Sequence, residues 1–183
     1  MTDVTKYILE FLLNIAAFLL TLRFLLQLMR ADFYNPISQA IVKITDPILK
    51  PLRMLLPGYK NIDFAAMLAI FVVMVLLHLT ERAIGGGYAG TWGQIAIVSL
   101  YEGILLVIQI IRWSIIINII ASFVAQGSGH PALMLVQDLI EPVLAPIRKL
   151  IPAVGGLDFS PLLVFLILGV IEIILPQLVA SLL

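Results

Sequence analysis

Four long apolar stretches constrain the fold of this chain more than any other feature. They run near Ile8–Met29, Phe64–Thr80, Gln94–Val124 and Pro161–Leu183, and a helix that crosses a bilayer needs about 20 apolar residues. Only 12% of the 183 residues are charged, whereas soluble domains average about 25%. We therefore expect an all-α membrane protein with four transmembrane helices. The third stretch is too long for one perpendicular span, which predicts a tilted helix or an extra interfacial turn before Leu100.

The chain also contains an internal duplication. Residues 35–68 align without a gap to residues 130–163, and ten of the 34 positions are identical. Shared hydrophobicity alone does not produce four aligned prolines and an aligned arginine. The aligned pairs are Pro36 and Pro131, Pro47 and Pro142, Pro51 and Pro146, Arg53 and Arg148, Pro57 and Pro152, and Asp63 and Asp158, with Asp46 opposite Glu141. We divide the chain into a first repeat (1–84), a glycine-rich linker (85–93) and a second repeat (94–183).

The repeats are expected to run in the same direction across the membrane. Each holds two spans, an even number, which predicts tandem parallel repeats rather than inverted ones. The two long connections carry seven Lys and Arg residues and the opposite side carries two. By the positive-inside rule, the long connections are expected in the cytoplasm and both termini in the periplasm.

Each long connection predicts a proline-kinked amphipathic helix that lies along the membrane interface. Isoleucines recur at helical spacing after Pro36, which suits a first helical turn. Pro47 disfavours helix at the preceding residue, so we expect the first helix to end at Asp46. Asp46 would then cap a second short helix, kinked by Pro51. The second repeat carries the same pattern, with Glu141 in place of Asp46.

The two repeated arginines are expected to hold this region together. Asp46 and Arg53 are seven residues apart, about two helical turns, so they share a face but lie too far apart to pair directly. The predicted ion pairs cross between repeats, Asp46 with Arg148 and Glu141 with Arg53. Alternatively, both guanidinium groups extend to lipid phosphate or make a direct functional contact. The rival carboxylate partners are Asp63 and Asp158, which begin the returning spans.

Ionisable residues also occur inside the apolar stretches. Arg112 and Glu172 fall near mid-membrane, where an unpaired charge is costly. They predict an ion pair between the third and fourth spans, with Asn118 as a polar helper, or alternatively a path for a substrate or ion. Arg23, near the cytoplasmic end of the first span, is expected to extend to the interface, and Glu102 to the outer interface.

Several function classes are disfavoured by what the sequence lacks. The chain has no cysteine, so it can form neither a disulfide nor a thiolate metal site. His78 and His130 are expected on opposite membrane faces, where they could not share a haem or metal, and His130 is expected to cap a helix. The net charge is zero, which argues against a nucleic-acid partner. We expect no catalytic, cofactor-binding or metal-ligating residue.

The repeated block resembles the YggT/YlmG family of small bacterial and plastid membrane proteins. The resemblance rests on two copies of Pro-x-x-x-Pro-x-Arg followed by Pro, and it covers nearly the whole chain in the two-repeat form. It implies an integral inner-membrane protein with no established catalytic activity. It also implies, variously, roles in osmotic-stress tolerance and ion uptake, in division or nucleoid organisation, and in haem maturation of a plastid cytochrome complex. The family positions carried over are Pro47, Pro51, Arg53, Pro57, Asp63, Pro142, Pro146, Arg148, Pro152 and Asp158.

The two repeats need not bind the same partner, because Lys50 aligns with Ala145 and Gly58 aligns with Ala153. The preferred interpretation is a non-enzymatic membrane scaffold or assembly factor that contributes to osmotic-stress tolerance. It would act through its two cytoplasmic segments, with the lipid bilayer and a protein partner or second copy as partners. The alternative is a small oligomeric channel or transporter that uses Arg112 and Glu172. Haem handling is a third, weaker hypothesis.

Overall fold

A computed structural model describes residues 2–84, 90–124, 129–151 and 158–181. These residues form six α-helices: α1 (Thr2–Leu28), α2 (Pro36–Leu55), α3 (Phe64–Ile84), α4 (Trp92–Val124), α5 (Pro131–Leu150) and α6 (Ser160–Ala180). In length and composition, α1, α3, α4 and α6 are candidate membrane spans, and α2 and α5 are not among them. The predicted all-α, four-span fold is confirmed, and the chain has the architecture of a multi-pass membrane protein.

The third apolar stretch forms one continuous helix. Helix α4 has 33 residues, which corresponds to about 50 Å at 1.5 Å per residue. A bilayer hydrocarbon core is about 30 Å thick, so α4 must tilt or extend beyond the core. The extra turn expected before Leu100 belongs to this same helix, which begins at Trp92.

The two proline helices differ from the prediction. Helix α2 continues through Pro47 and Pro51, so the expected helix end at Asp46 is wrong, and α5 likewise continues through Pro142 and Pro146. All four prolines lie on exposed faces, where a backbone carbonyl that has lost its intrahelical N–H remains accessible to another donor. The opposite face of each helix is buried, and this packing maintains the helix across the prolines.

The starts of α2 and α5 are capped in the same way. The Asn35 side chain accepts a hydrogen bond from the Ile37 N–H at 2.9 Å. At the corresponding place, His130 Nδ1 accepts one from the Ala132 N–H at 3.2 Å. A proline follows each cap at the first helical position, where a missing N–H costs least. The capping role expected for His130 is confirmed.

The core has two buried clusters. Small residues, among them Ala17, Ala66 and Ala69, form the contact between α1 and α3, and small side chains allow helices to approach closely in membranes. The second cluster contains Leu25 of α1, Ile115 of α4 and apolar residues of α5. It joins the two repeats.

Both proline helices lie at one end of the bundle. Asn35 Nδ2 donates to the Pro131 carbonyl at 2.7 Å, and the Asp32 N–H donates to Asp138 Oδ2 at 2.9 Å. The end of α3 and the start of α4 meet at the opposite end. This arrangement is that of two repeats with the same direction. We call the end that holds the proline helices the α2/α5 end.

Candidate functional site

In the first repeat, a buried ion pair joins the end of α2 to the start of α3. Arg53 Nη2 and Nε donate to Asp63 Oδ2 at 2.5 and 3.1 Å. The other oxygen, Oδ1, accepts the Ala66 N–H at 3.1 Å and so caps α3. The Asp63 side chain is only 1% exposed. One carboxylate therefore holds both a helix end and a guanidinium group in a nearly water-free place.

The second repeat makes the same connection with greater exposure. Arg148 Nε donates to Asp158 Oδ2 at 2.7 Å, and Asp158 Oδ1 accepts the Ser160 N–H at 2.9 Å. Arg148 Nη1 also donates to the two carboxylate oxygens of Glu141 at 2.7 and 2.8 Å. The side chains of Arg148 and Asp158 are 40% and 36% exposed. The second pair is therefore more strongly screened by water.

The predicted pairing between repeats is wrong, because each arginine binds the aspartate at the start of its own returning span. Arg148 also reaches Glu141 seven residues away, a spacing that we expected to be too long. Glu141 has one more methylene than Asp46, which helps it span two helical turns. Asp46 instead pairs with Lys50 at 3.0 Å.

The charges of the second pair stabilise each other. Hydrogen bonds from Arg148 to Asp158 and Glu141 raise the pKa of the Arg148 guanidinium above its ordinary value, although burial opposes this. For Asp158, partial burial acts to raise the pKa. Hydrogen bonds from Ser160 and Arg148 outweigh it, so the pKa of this carboxyl lies below its ordinary value. Asp158 therefore stays ionised throughout the neutral range.

A separate ion pair joins α4 and α6, as predicted. Arg112 Nη1 contacts Glu172 Oε2, and the Arg112 guanidinium carbon lies 4.3 Å from the centre of the Phe165 ring. The guanidinium lies directly beside Gly169 of α6, where a Cβ would be in ordinary van der Waals contact with Arg112 Nη2 at 3.7 Å. The polar role expected for Asn118 beside this pair is wrong, because Asn118 lines a different cavity.

The Arg112–Glu172 pair leaves two buried polar atoms without hydrogen-bond partners among the described residues. Arg112 Nε and Glu172 Oε1 are buried with no hydrogen-bond partner among the described residues, which costs free energy in a low-dielectric environment. A cavity of about 400 Å³ lies beside the pair and is also lined by Gln109 and Trp113. The ion pair therefore joins α4 to α6 and also lines a polar cavity.

Arg23 is covered by other parts of the protein. Its side chain is buried, with 6% exposed, and its guanidinium carbon lies 5.1 Å from the centre of the Phe33 ring. It lies within range of Coulomb interaction with Arg53, Asp63 and Asp46. The expectation that Arg23 extends outward is wrong, because the segment after α1 places Phe33 over the guanidinium group.

Sequence analysis missed a polar cluster between α3 and α4. His78 Nε2 lies 3.0 Å from Glu102 Oε2, and His78 Nδ1 lies 3.5 Å from Glu81 Oε2. These groups line a cavity of about 320 Å³ together with Glu10 and Gln109. His78 and Glu102 belong to different helices, so no periodicity connects them. The only available signal was a polar residue near the end of each apolar stretch.

Pro57 and Pro152 are the last aligned pair of prolines in the two repeats. Pro57 follows the end of α2, where a proline prevents further helix, and Pro152 lies outside the described residues, as does the linker segment 85–89. Within the described parts of the chain, no three His, Asp or Glu side chains are placed to hold a metal ion.

Comparison with known proteins agrees with the two-repeat architecture. A family model described as CCB3/YggT matches residues 3–84 and 97–179, which correspond to α1–α3 and to most of α4 together with α5 and α6. The chain belongs to the CCB3/YggT family. No solved structure matches it significantly.

Several relatives align with most of this chain. An uncharacterized protein of Pseudomonas aeruginosa is 42% identical over 169 residues, which cover 92% of this chain and 86% of that protein. A protein encoded in the proC 3′ region of Vibrio alginolyticus is 37% identical, over 88% of this chain and 87% of its own length. The uncharacterized protein YggT of Escherichia coli K12 is 34% identical, over 91% and 86% respectively.

Proposed function

We propose that this CCB3/YggT protein is a non-enzymatic scaffold or assembly factor of the bacterial inner membrane. Its partner would be another protein or a second copy, and its binding surface would be the α2/α5 end. The observation that carries this proposal is the pair of Arg–Asp contacts, Arg53 with Asp63 and Arg148 with Asp158. Each contact fixes the end of a proline helix to the start of the returning span, while the outer face of that helix stays exposed.

The exposed side of this end has the character of an interaction surface. It presents large apolar side chains, including Ile44, Ile48 and Met54 of α2 and Leu150 of α5. The same two helices carry the exposed lysines Lys43, Lys50 and Lys149, which supports a cytoplasmic position beside anionic headgroups. A contribution to osmotic-stress tolerance rests on the family resemblance described above.

Site-specific crosslinking in cells tests the scaffold proposal. A photoreactive amino acid is placed at Met54 of α2 and, separately, at Lys149, which occupies the aligned position in α5. Both positions are exposed. The expected result is capture of the same protein from both positions, and no capture of it from Leu178, an exposed residue of α6. Capture of no protein from either helix would contradict the proposal.

Complementation of an osmotically sensitive deletion strain provides a second test. Arg53→Ala and Arg148→Ala should impair growth more than Arg30→Ala or Lys60→Ala, because only the first two remove an ion pair that positions a proline helix. All four variants must first be matched for membrane level. Equal tolerance of the four substitutions would count against the α2/α5 end as the working surface.

A small oligomeric channel or transporter is the second candidate. The observation that favours it is the sharing of Gln109 by two polar cavities, one beside His78 and Glu102 and one beside Arg112 and Glu172. The two cavities therefore adjoin at Gln109 of α4. Ion or solute flux into proteoliposomes that is lost in Glu172→Gln but retained in Asp46→Asn would establish this candidate over the scaffold. Absence of flux would remove it.

A further inference from the structure

One aligned position holds an arginine in the first repeat and an asparagine in the second. The alignment that pairs Arg53 with Arg148 places Arg23 of α1 opposite Asn118 of α4. Arg23 lies near Asp46, Arg53 and Asp63. Asn118 likewise lies beside Glu141 and Arg148, with which it lines a common cavity. The second repeat therefore retains Glu141, Arg148 and Asp158 at the positions of Asp46, Arg53 and Asp63, but it lacks the buried guanidinium group.

A polar cavity lies where the second repeat lacks this arginine. Its volume is about 440 Å³, within the range of roughly 300–1,000 Å³ that is typical of small-ligand sites. The polar side chains that line it are Asn118, Ser122, Gln137, Asp138, Glu141 and Arg148. The Asn118 side chain makes no hydrogen bond to another described residue. Its side chain therefore offers an acceptor oxygen to a ligand.

The charge around this cavity is opposite in sign to that of the first repeat. Three carboxylates, Asp138, Glu141 and Asp158, accompany the single guanidinium of Arg148. In the first repeat, the position of Asp138 is held by Lys43. Asp138 accepts a hydrogen bond from the Asp32 N–H, but it forms no ion pair in the described part of the chain. The cavity therefore carries uncompensated negative charge.

The cavity is also reachable from outside. Glu141 is 54% exposed at its side chain, and α5 lies at the α2/α5 end of the bundle. A charged ligand can therefore enter without crossing the apolar core. The same end carries the proposed partner surface, so a partner bound there could place a side chain in the cavity.

We propose that the cavity between α4 and α5 binds the guanidinium group of an arginine side chain from a partner protein. This proposal rests on the function proposed above. A guanidinium group reproduces what Arg23 supplies in the first repeat, and its planar set of donors matches a carboxylate in a bidentate manner. It is also more weakly hydrated than the ammonium group of lysine. Glu141 and Asp138 would accept its hydrogen bonds, with the Asn118 amide oxygen as a third acceptor.

Binding of a small probe to the full chain in nanodiscs tests the proposal without any partner. The probes are N-acetyl-arginine methylamide and N-acetyl-lysine methylamide at equal ionic strength. The expected result is saturable binding of the arginine probe, with a dissociation constant at least ten-fold lower than that of the lysine probe. No saturable binding, or equal binding of the two probes, would overturn the proposal. The second outcome would instead indicate a general ammonium site, such as one for an aminophospholipid headgroup.

The decisive variant is Asn118→Arg, which gives the second repeat the arginine that the first repeat has at the aligned position, Arg23. It should fill the cavity and weaken binding of the arginine probe at least ten-fold. Met134→Arg is the matched control, because it adds the same charge on an exposed part of α5 outside the cavity and should change the dissociation constant less than two-fold. If Asn118→Arg does not fold, Asp138→Lys, which copies Lys43, should weaken binding equally. Wild-type affinity in the folded variant would overturn the proposal.

Failure of this proposal is distinguishable from failure of the scaffold proposal. If crosslinking from Met54 and Lys149 captures a protein but the arginine probe does not bind, only the cavity assignment is overturned. If the probe binds but no protein is captured, the scaffold proposal is overturned, and with it the partner protein as the source of the guanidinium group.

Discussion

Removal of one carboxylate charge should affect the two repeats very differently. Asp63→Asn keeps an oxygen that can accept the Ala66 N–H, since asparagine caps helices about as well as aspartate. The substitution therefore isolates the ion pair with Arg53 from the helix cap. Asp158→Asn is the matched change in the second repeat, where the amide oxygen of the new side chain can still accept the Ser160 N–H.

The expected loss of unfolding free energy in each repeat depends on how exposed its ion pair is to solvent. Breaking a buried ion pair by removing one partner costs about 3–5 kcal/mol, because the other charge is left desolvated. Asp63 is 1% exposed and Arg53 is 28% exposed, so we expect a cost near the lower limit, about 3 kcal/mol. Asp158 and Arg148 are 36% and 40% exposed, and exposed pairs contribute about 0–1 kcal/mol. Glu141 also remains as a partner for Arg148.

The assay is equilibrium unfolding of the purified protein in mixed micelles, with a double-mutant cycle in each repeat. The cycles combine Asp63→Asn with Arg53→Gln, and Asp158→Asn with Arg148→Gln. Asp63→Asn alone should cost about 2 kcal/mol more than Asp158→Asn, and the coupling free energy should be larger in the first repeat than in the second. Equal coupling in the two repeats would refute the argument that burial makes the first contact the stronger one.

Three further predictions concern backbone conformation and pH. Gly58→Ala should destabilise the protein by about 1–3 kcal/mol, because the added Cβ would lie 2.9 Å from the Ile62 carbonyl oxygen; an unchanged unfolding midpoint would contradict this. Arg30 has a φ of 57°, a left-handed conformation that costs a residue with a Cβ about 1–2 kcal/mol. Arg30→Gly should remove this cost, partly offset by the greater freedom of glycine in the unfolded chain, and loss of stability would contradict this. The pKa of Asp158 is lower in the folded protein than in the unfolded chain. The contribution of ionised Asp158 to protein stability should therefore be complete above its ordinary pKa of about 3.9 and should disappear as pH falls through its folded-state pKa. Asp158→Asn should lessen that pH dependence, and an identical acid titration of stability would count against it.

The parts of the fold that sequence analysis predicted depend on strong and local signals. Four apolar stretches determine four spans because a bilayer requires that length of apolar helix. The Arg112–Glu172 pair followed from the cost of leaving either charge alone in the membrane. The cap at His130 followed from its position before a proline, opposite Asn35 in the repeat.

The parts that were missed depend on tertiary packing. Pro47 predicts a helix end from local sterics alone, but burial of the opposite face of α2 outweighs that preference. Arg23 is expected at the interface unless the fold covers it, and the covering residue, Phe33, follows a turn whose geometry the sequence does not reveal. The contact between His78 and Glu102 depends on how α3 and α4 meet.

The placement of α2 and α5 on one side of the membrane is the central claim, and cysteine labelling tests it most directly. The chain has no native cysteine, so single cysteines can be placed at Met54 of α2, Lys149 of α5 and Trp92, an exposed residue at the other end. With a membrane-impermeant maleimide, Met54→Cys and Lys149→Cys should be labelled only in inverted vesicles, and Trp92→Cys only in spheroplasts. Labelling of Met54→Cys and Lys149→Cys from opposite sides of the membrane would contradict the account.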